Sequence, residues 1–320
     1  MIKVGILYGG KSAEHEISLL SAKNIYDAID KTKFEPVLVK IEKSGKWQMA
    51  DVFQFDVIFP MLHGPYGEDG TIQGFLKLAD IPFVGPGVLG SAVGMDKDIM
   101  KRLFRDAGIP IGKFLTVKSH EKPMSFAETE AALGSPFFIK PVNMGSSVGI
   151  SKVRNEAEYI AAVKEAFQYD TKIIIEEFIP GREIECAVLG NEEPAASLPG
   201  EIIPSHDFYS YDAKYLDEKG ASLQIPAKLD DGTIKRIQEL AVKVFQVLCC
   251  EGLSRVDFFL KANGEIIVNE INTMPGFTKI SMYPKMWEIC GVSYTELITR
   301  LIELAISRFK KERELKTSFV

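Results

Sequence analysis

Ser254-Arg-Val-Asp-Phe-Phe-Leu260 and Glu265-Ile-Ile-Val-Asn-Glu-Ile-Asn272 flank the dipeptide Asn263-Gly264. Both runs are rich in β-branched and aromatic residues, which suit a pleated, half-buried surface. Asn-Gly between two such runs signals a hairpin, because a type I′ turn needs φ > 0 at both central residues. With Asn263 and Gly264 as the two loop residues, Asp257 lies opposite Glu270 and Arg255 opposite Asn272. Side chains alternate faces along a strand, so these four share one face. Val256, Phe258, Leu260, Ile267 and Ile271 share the other and are expected to bury. Two carboxylates directly opposite each other repel, and a cation between them removes that cost. Two acidic groups, an amide oxygen and a nearby Arg suit Mg²⁺, which takes one or two carboxylates and leaves room for substrate phosphates. An exposed hairpin face with ordinary charges has the same spacing. A loop of different parity would put the carboxylates on opposite faces.

The chain around this hairpin has 320 residues, enough for two or three domains. A hydrophobic share of 46% and a charged share of 26% are those of a soluble globular protein. The net charge of −6 argues against a general nucleic-acid binder. The start, Met1-Ile-Lys-Val-Gly-Ile-Leu7, reads as a first strand, too short in its apolar run for a signal peptide. No apolar run approaches the roughly 18 residues of a membrane span. Cys186, Cys249, Cys250 and Cys290 lack metal-type spacing and are expected to be reduced and mostly buried, in a cytoplasmic protein.

Residues 1–90 alternate strand and helix: Lys3–Tyr8, Ser12–Ile29, Phe34–Ile41, Val57–Leu62 and Thr71–Ala79. This predicts a doubly wound parallel layer whose functional loops follow strand ends. One such loop is Gly9-Gly-Lys-Ser-Ala-Glu14-His-Glu16, with acidic groups in a first helical turn where the dipole alone accounts for them. Another holds His63-Gly64 and Glu68-Asp69-Gly70. Gly9-Gly10 lacks the third small residue of a dinucleotide fingerprint, so a nicotinamide enzyme is weakly supported. The Gly/Pro cluster 82–90 reads as a boundary. A helix then runs from Asp96 to Ala107, with Ile99, Met100, Leu103 and Phe104 on one face. Lys97 in its first turn has the wrong sign for the dipole but suits a bound phosphate. Phe137-Phe-Ile-Lys140, the loop through Gly145-Ser146-Ser147-Val-Gly149, and Ile150–Val153 form strand, loop and strand, the loop being a flexible connector or a phosphate nest. Asn155 caps a helix to Phe167, and Lys172–Phe178 is a buried strand. Shorter antiparallel strands follow to about Ser197; residues 205–220 show no period and suggest a lid. Asp230–Leu248 is an amphipathic helix leading into the hairpin. Residues 273–282 are turn-rich, and Tyr294–Phe309 is a closing helix.

Together these segments resemble the ATP-grasp fold and, within it, the D-alanine–D-alanine ligase family, over essentially the whole chain. The resemblance rests on Gly9-Gly-Lys-Ser-Ala-Glu-His-Glu-Ile-Ser18, Lys140 with Gly145-Ser-Ser-Val-Gly149, Tyr211-Asp-Ala-Lys-Tyr215, Arg255-Val-Asp257 and Glu270-Ile-Asn-Thr-Met-Pro-Gly276. It implies an α/β N-terminal layer (1–92) and two α+β domains (93–180 and 181–320) that sandwich ATP. It also implies a homodimer that uses ATP and two Mg²⁺ or Mn²⁺ ions to join two D-alanines for peptidoglycan, with no nucleic-acid or membrane partner.

By matching position, the resemblance assigns the metal to Asp257, Glu270 and Asn272, and the ATP phosphates to Lys97, Lys140 and Lys214. Lys140 would also lie near the adenine. Glu176 and the Ile179 backbone would read the adenine, Glu183 the ribose, and Ser147 and Glu177 would lie beside the nucleotide. Glu14 would take the ammonium of the first D-alanine, with His63 nearby. Arg255 and the Gly276 N–H would form the oxyanion site, and Ser281 with the Met282 backbone would hold the second carboxylate. Tyr215, Ser146 and Glu14 would link lid, loop and first domain. Lys11 and the side chains of Met144 and Met282 carry no functional reading. The alternatives are a D-alanine–D-lactate or D-alanine–D-serine ligase, and a non-catalytic ATP-binding module, against which Arg255, Asp257, Glu270 and Asn272 all stand.

Overall fold

The computed structural model of the chain describes residues 1–204, 221–316 and 318. The first layer is a parallel sheet of β1 (Ile2–Gly9), β2 (Phe34–Ile41) and β3 (Val57–Met61), in the order β2-β1-β3. Helix α1 (His15–Ala28) links the first two strands. It begins three residues later than its apolar period suggests, because Ser12 Oγ accepts the Glu14 N–H at 3.2 Å and holds a turn there. Gly9 ends β1 at φ +94°, where a Cβ would stand 2.3 Å from the Ile41 carbonyl oxygen. Ser18 Oγ accepts from the Gly9 N–H at 2.7 Å and donates to the Met61 carbonyl. One side chain thus ties together the ends of β1 and β3, from which both functional loops leave.

Helices α2 (Thr71–Leu78) and α3 (Val88–Met95) follow. The second of these lies partly in the stretch read as a Gly/Pro boundary. Its buried face is Gly90, Ser91, Gly94 and Met95, and a Cβ on Gly94 would meet Thr273 at 2.6 Å. Small residues here permit close approach of two segments rather than marking a linker.

Helix α4 (Lys97–Asp106) is capped by Asp96, whose carboxylate accepts the Ile99 N–H at 3.0 Å. Met100 and Phe104 are buried as expected, but Ile99 is exposed, and Lys97, Asp98 and Lys101 are buried instead. Strands β4 (Phe114–Lys118), β5 (Phe137–Pro141), β6 (Ser151–Val153) and β7 (Lys172–Glu177) make an antiparallel sheet in the order β4-β7-β5-β6. Helices α5 (Phe126–Leu133) and α6 (Glu156–Ala166) pack on it around Phe137, Ile139, Tyr159 and Ile175.

The third sheet has β8 (Arg182–Gly190), β9 (Ala195–Ala196), β10 (Gly200–Pro204), β11 (Ala221–Gln224), β12 (Gly252–Leu260) and β13 (Ile266–Asn272). Its order is β11-β10-β8-β12-β13, with β9 beside β8. Helix α7 (Asp231–Val247) covers one face, and Met100 and Phe104 of α4 join that core. Helices α8 (Met282–Ile289) and α9 (Tyr294–Arg313) close the chain against the first sheet, in one cluster with Val4, Ile6 and Phe59. Phe277 sits at this junction, 5.8 Å from the Phe59 ring and 5.6 Å from the Tyr283 ring. Cys186 and Cys250 are buried as expected, but Cys249 and Cys290 are exposed; all four are free thiols.

The hairpin departs from the expected turn. Gly264 has φ +81°, but Asn263 is not among the residues at positive φ, so the turn is not type I′. The Gly264 N–H donates to the Lys261 carbonyl and the Lys261 N–H to the Glu265 carbonyl, both at 2.9 Å. The loop is therefore three residues, Ala262 to Gly264, a hairpin type with its glycine in the left-handed region. One extra residue moves every pair near the turn: Phe258 meets Val268 and Leu260 meets Ile266. A β-bulge then leaves Asn269 unpaired, and beyond it Asp257 meets Glu270 and Arg255 meets Asn272, as the sequence suggested. Ile267 pairs with Phe259 and so shares the Asp257 face, contrary to expectation, while Ile266 and Val268 join the core.

Candidate active site

A cavity of about 290 Å³ lies between the four-stranded sheet and the third sheet. Lys97, Lys140, Ser146, Ser147, Glu176, Glu177, Ile179, Glu183, Asp257 and Glu270, all singled out in the sequence, line it.

At one end, the Glu176 carboxylate at the end of β7 receives Lys101 Nζ on Oε1 at 2.7 Å and Lys140 Nζ on Oε2 at 2.6 Å. Burial works against the charge of Glu176, but the two lysines outweigh it and hold the carboxyl well below its ordinary 4.5. Burial likewise opposes the charge on Lys140, and the carboxylates of Glu176 and Glu270 more than offset it. The next carboxylate, Glu177, also lines the cavity and accepts the Lys113 N–H at 2.8 Å, which braces the start of β4.

At the other end, Lys97 Nζ donates to the Met144 carbonyl at 2.8 Å and lies 3.4 Å from Glu270 Oε2. Met144 thus acts through its backbone. Ser146 and Ser147 sit at φ +51° and +62°, two non-glycine residues in the left-handed region, the kind of strain that clusters at ligand clamps. Ser146 Oγ donates to Glu14 Oε1. That contact gives Glu14 a use beyond the helix dipole: it is the N-cap residue of α1, its side chain caps nothing there, and only Glu16 is acidic in the first turn.

Arg255 Nε and Nη2 donate to the two oxygens of Asp257 at 2.7 Å each, and Nε lies 2.9 Å from Glu185 Oε2. The Arg255 N–H points at Asp257, so the Glu185 contact is an ion pair by proximity. Asn272 Nδ2 donates to Asp257 Oδ2 at 2.9 Å, which turns its amide oxygen away from that bond. Asp257 meets Glu270 on β13 and Glu185 on β8, so three carboxylates form a row across three strands.

His63, Arg255, Asn272, Gly276, Ser281 and Met282 do not line the cavity. Arg255 and Asn272 reach it only through Asp257 and Glu185, whereas His63 meets the segment 273–281 at Met274. His63 is buried; its Nδ1 lies 3.1 Å from the Met274 carbonyl and 3.4 Å from Glu68 Oε1, and Nε2 has no hydrogen-bond partner among the described residues. Burial disfavours the imidazolium, yet Glu68, Glu14 and the Met274 carbonyl raise the His63 pKa overall. The Phe277 N–H donates to Ser21 Oγ at 3.2 Å, which docks the 273–281 segment on α1. Ser281 is the N-cap of α8, but its Oγ turns back to Thr278, 2.9 Å from N and 2.8 Å from Oγ1, facing Gly276. The Met282 side chain is buried in the core and leaves only its backbone for binding. Lys214, Tyr215 and the expected lid lie outside the described residues. Lys101, Glu185 and Glu68 went unassigned in the sequence; only the four-residue step from Lys97 to Lys101 on one helix signalled the first of them.

Two family models match the chain, D-ala D-ala ligase N-terminus at residues 3–55 and 48–86 and D-ala D-ala ligase C-terminus at residues 103–303. A D-alanine–D-alanine ligase of Oceanobacillus iheyensis is 53% identical over 359 aligned residues that cover 99% of this chain and 98% of the relative. Among solved structures, a D-Ala:D-Ser ligase of Enterococcus faecalis superposes with TM-score 0.86 at 38% identity, covering 95% of this chain and 99% of that one. A D-alanine–D-alanine ligase of Bacillus anthracis, complexed with ATP, superposes with TM-score 0.83 at 28% identity, covering 98% and 100%. With both of its halves matched and relatives alike from end to end, the chain belongs to the D-alanine–D-alanine ligase family.

Proposed function

We propose that the chain joins two D-alanine molecules at the expense of ATP. The ATP γ-phosphoryl passes to the carboxylate of the first D-alanine, giving an acyl phosphate and ADP. The amine of the second attacks that carbonyl, loses a proton, and expels phosphate. The observation that carries this reading is a cavity in which Lys97, Lys101 and Lys140 meet carboxylates from both sheets, Glu176 and Glu270 among them, joined through Ser146 and Glu14 to the N-terminal loop. Phosphoryl transfer needs positioning and charge neutralisation rather than a protein nucleophile, and that is what such a cavity provides.

In this reading Glu176 and the Ile179 backbone hold the adenine, and Glu183 the ribose. Lys97 and Lys140 meet the phosphates beneath the Ser146–Ser147 loop. Glu14 holds the ammonium of the first D-alanine beside His63. Arg255 and the Gly276 N–H stabilise the tetrahedral oxyanion, a role preorganised donors fill well. Ser281 and the Met282 N–H receive the second carboxylate at the start of α8, where unpaired amides favour an anion. Among the described residues no three of His, Cys, Asp and Glu gather around one point. Two carboxylates and an amide oxygen, Asp257, Glu270 and Asn272, nonetheless fit Mg²⁺ or Mn²⁺, which are content with few protein oxygens. Two such ions would neutralise the phosphate charge during transfer. We further propose three units, 1–92, 93–180 and 181–320, in a cytoplasmic homodimer.

The test is ADP release by the purified protein with D-alanine, L-alanine, D-serine, D-lactate or no acceptor. ADP and dipeptide formed together only with D-alanine is the expected result; ATP turnover indifferent to D-alanine would overturn the reading. A D-serine acceptor is the second reading, supported by the likeness to the Enterococcus D-Ala:D-Ser ligase.

A further inference from the structure

Lys101 has no part in the mechanism above, although only 4% of its side chain is exposed. It lies one turn beyond Lys97 on α4, so both ammonium groups leave the same helix face. They reach opposite jaws of the cavity: Lys97 goes to Glu270 on β13, Lys101 to Glu176 on β7. Glu176 therefore has a lysine on each oxygen, Lys101 at 2.7 Å and Lys140 at 2.6 Å. A buried carboxylate clamped in this way cannot turn without breaking a charge-assisted contact. It offers the cavity fixed acceptor lone pairs and no donor.

Adenine carries an amino donor at C6, where guanine and hypoxanthine carry a carbonyl acceptor. A fixed acceptor pairs with the first and faces the second with an unsatisfied, like-charged edge, which is the stronger kind of discrimination. The two lysines are not equivalent. Lys140 also feels Glu270 and Glu183, across the cavity. Lys101 has Glu176 alone as its ion-pair partner among the described contacts.

We propose that Lys101 is a positioning residue for nucleobase selectivity, holding Glu176 as a fixed acceptor for the purine 6-amino group. This rests on the reading that the cavity takes ATP. The test uses Lys101→Met and Lys101→Arg, with kcat and KM measured for ATP and ITP at saturating D-alanine, and KM for D-alanine at saturating ATP. Lys101→Met is expected to raise KM for ATP about tenfold and to lower the ATP-over-ITP ratio of kcat/KM about tenfold, with KM for D-alanine unchanged. Lys101→Arg, which keeps the charge, should recover most of both. A folded Lys101→Met protein with wild-type ATP-over-ITP ratio overturns the proposal. Should that variant fail to fold, Glu176→Gln carries the test: its amide can turn to donate, so an undiminished ATP-over-ITP ratio overturns the proposal too. Failure of the ATP reading is separate, since it would show as wild-type protein with no D-alanine-dependent ATP turnover.

Discussion

Glu176 and Glu270 face one cavity from opposite sheets, and the chain neutralises them in different ways. Glu176 is buried between two lysines at 2.6 and 2.7 Å. The Glu270 side chain is 27% exposed and meets Lys97 at 3.4 Å. Asp257, beside it, is matched by Arg255 on its own strand. The end proposed to take the base is therefore matched within the protein, its carboxylate held on both oxygens. Glu270, partly exposed and 3.4 Å from Lys97, is held less closely, so on the proposed reading it can exchange a protein cation for metal while Lys97 takes up a phosphate oxygen. Preorganisation at one end and exchange at the other divide binding from chemistry.

The sharpest way to break this comparison is at Glu270. Glu270→Gln should cost on the order of 1,000-fold in ligase turnover, because a hard anionic oxygen is lost where phosphate charge must be neutralised. Its thermal midpoint should barely move, since a partly exposed 3.4 Å pair contributes little. Near wild-type turnover at modest Mg²⁺ would remove Glu270 from the metal site. The opposite pattern is expected at Glu176. Glu176→Gln leaves two buried lysines facing an amide and should cost about 3 kcal/mol of stability at pH 7 by denaturant unfolding. Glu176 is depressed in the folded chain below its ordinary 4.5, so its contribution is complete above that value and is lost as pH falls. The deficit of Glu176→Gln should therefore shrink by about 2 kcal/mol between pH 7 and pH 3. A deficit constant with pH would mean that the carboxylate is not held by charge. The smallest effect belongs far from both ends. Gly264→Ala places a side chain at φ +81°, with open space around it, and should cost about 1 kcal/mol while leaving turnover intact. A large loss of activity there would mean that the turn reaches the site.

Much of this was legible in the sequence. An apolar period located α7, whose Ile237, Ala241 and Phe245 are buried, and a capping Asn155 located α6; α1 was located too, but Leu20 of its apolar run is exposed while Ser18 and Ser21 are buried. Asp257 and Glu270 were readable because both stand on strands, where alternation assigns faces. The buried charges were not. Lys101 and Asp98 look like the solvent side of α4, and only the second sheet's carboxylate and Lys172 draw them inward. Ile99 was counted as core for the same reason, since charged neighbours took the place its period predicted. Glu68 depends on a loop folding back on His63, and Glu185 on a strand far away in the chain; no local pattern carries either. Helix α3 was hidden because its contacts are made by glycines, which read as breakers.

The unpaired Asn269 has a further consequence. The third loop residue between β12 and β13 shifts the pairing by one, and the bulge shifts it back before Asp257 meets Glu270 and Arg255 meets Asn272. The two irregularities behave as a frameshift and its suppressor. Either alone would turn Glu270 to the core face while Asp257 stayed in the cavity. An insertion or deletion of one residue in this hairpin is then tolerable only if a second, compensating change comes with it. In a mutational library, single-residue indels between Asp257 and Glu270 should be lost, and the surviving variants should carry their changes in pairs.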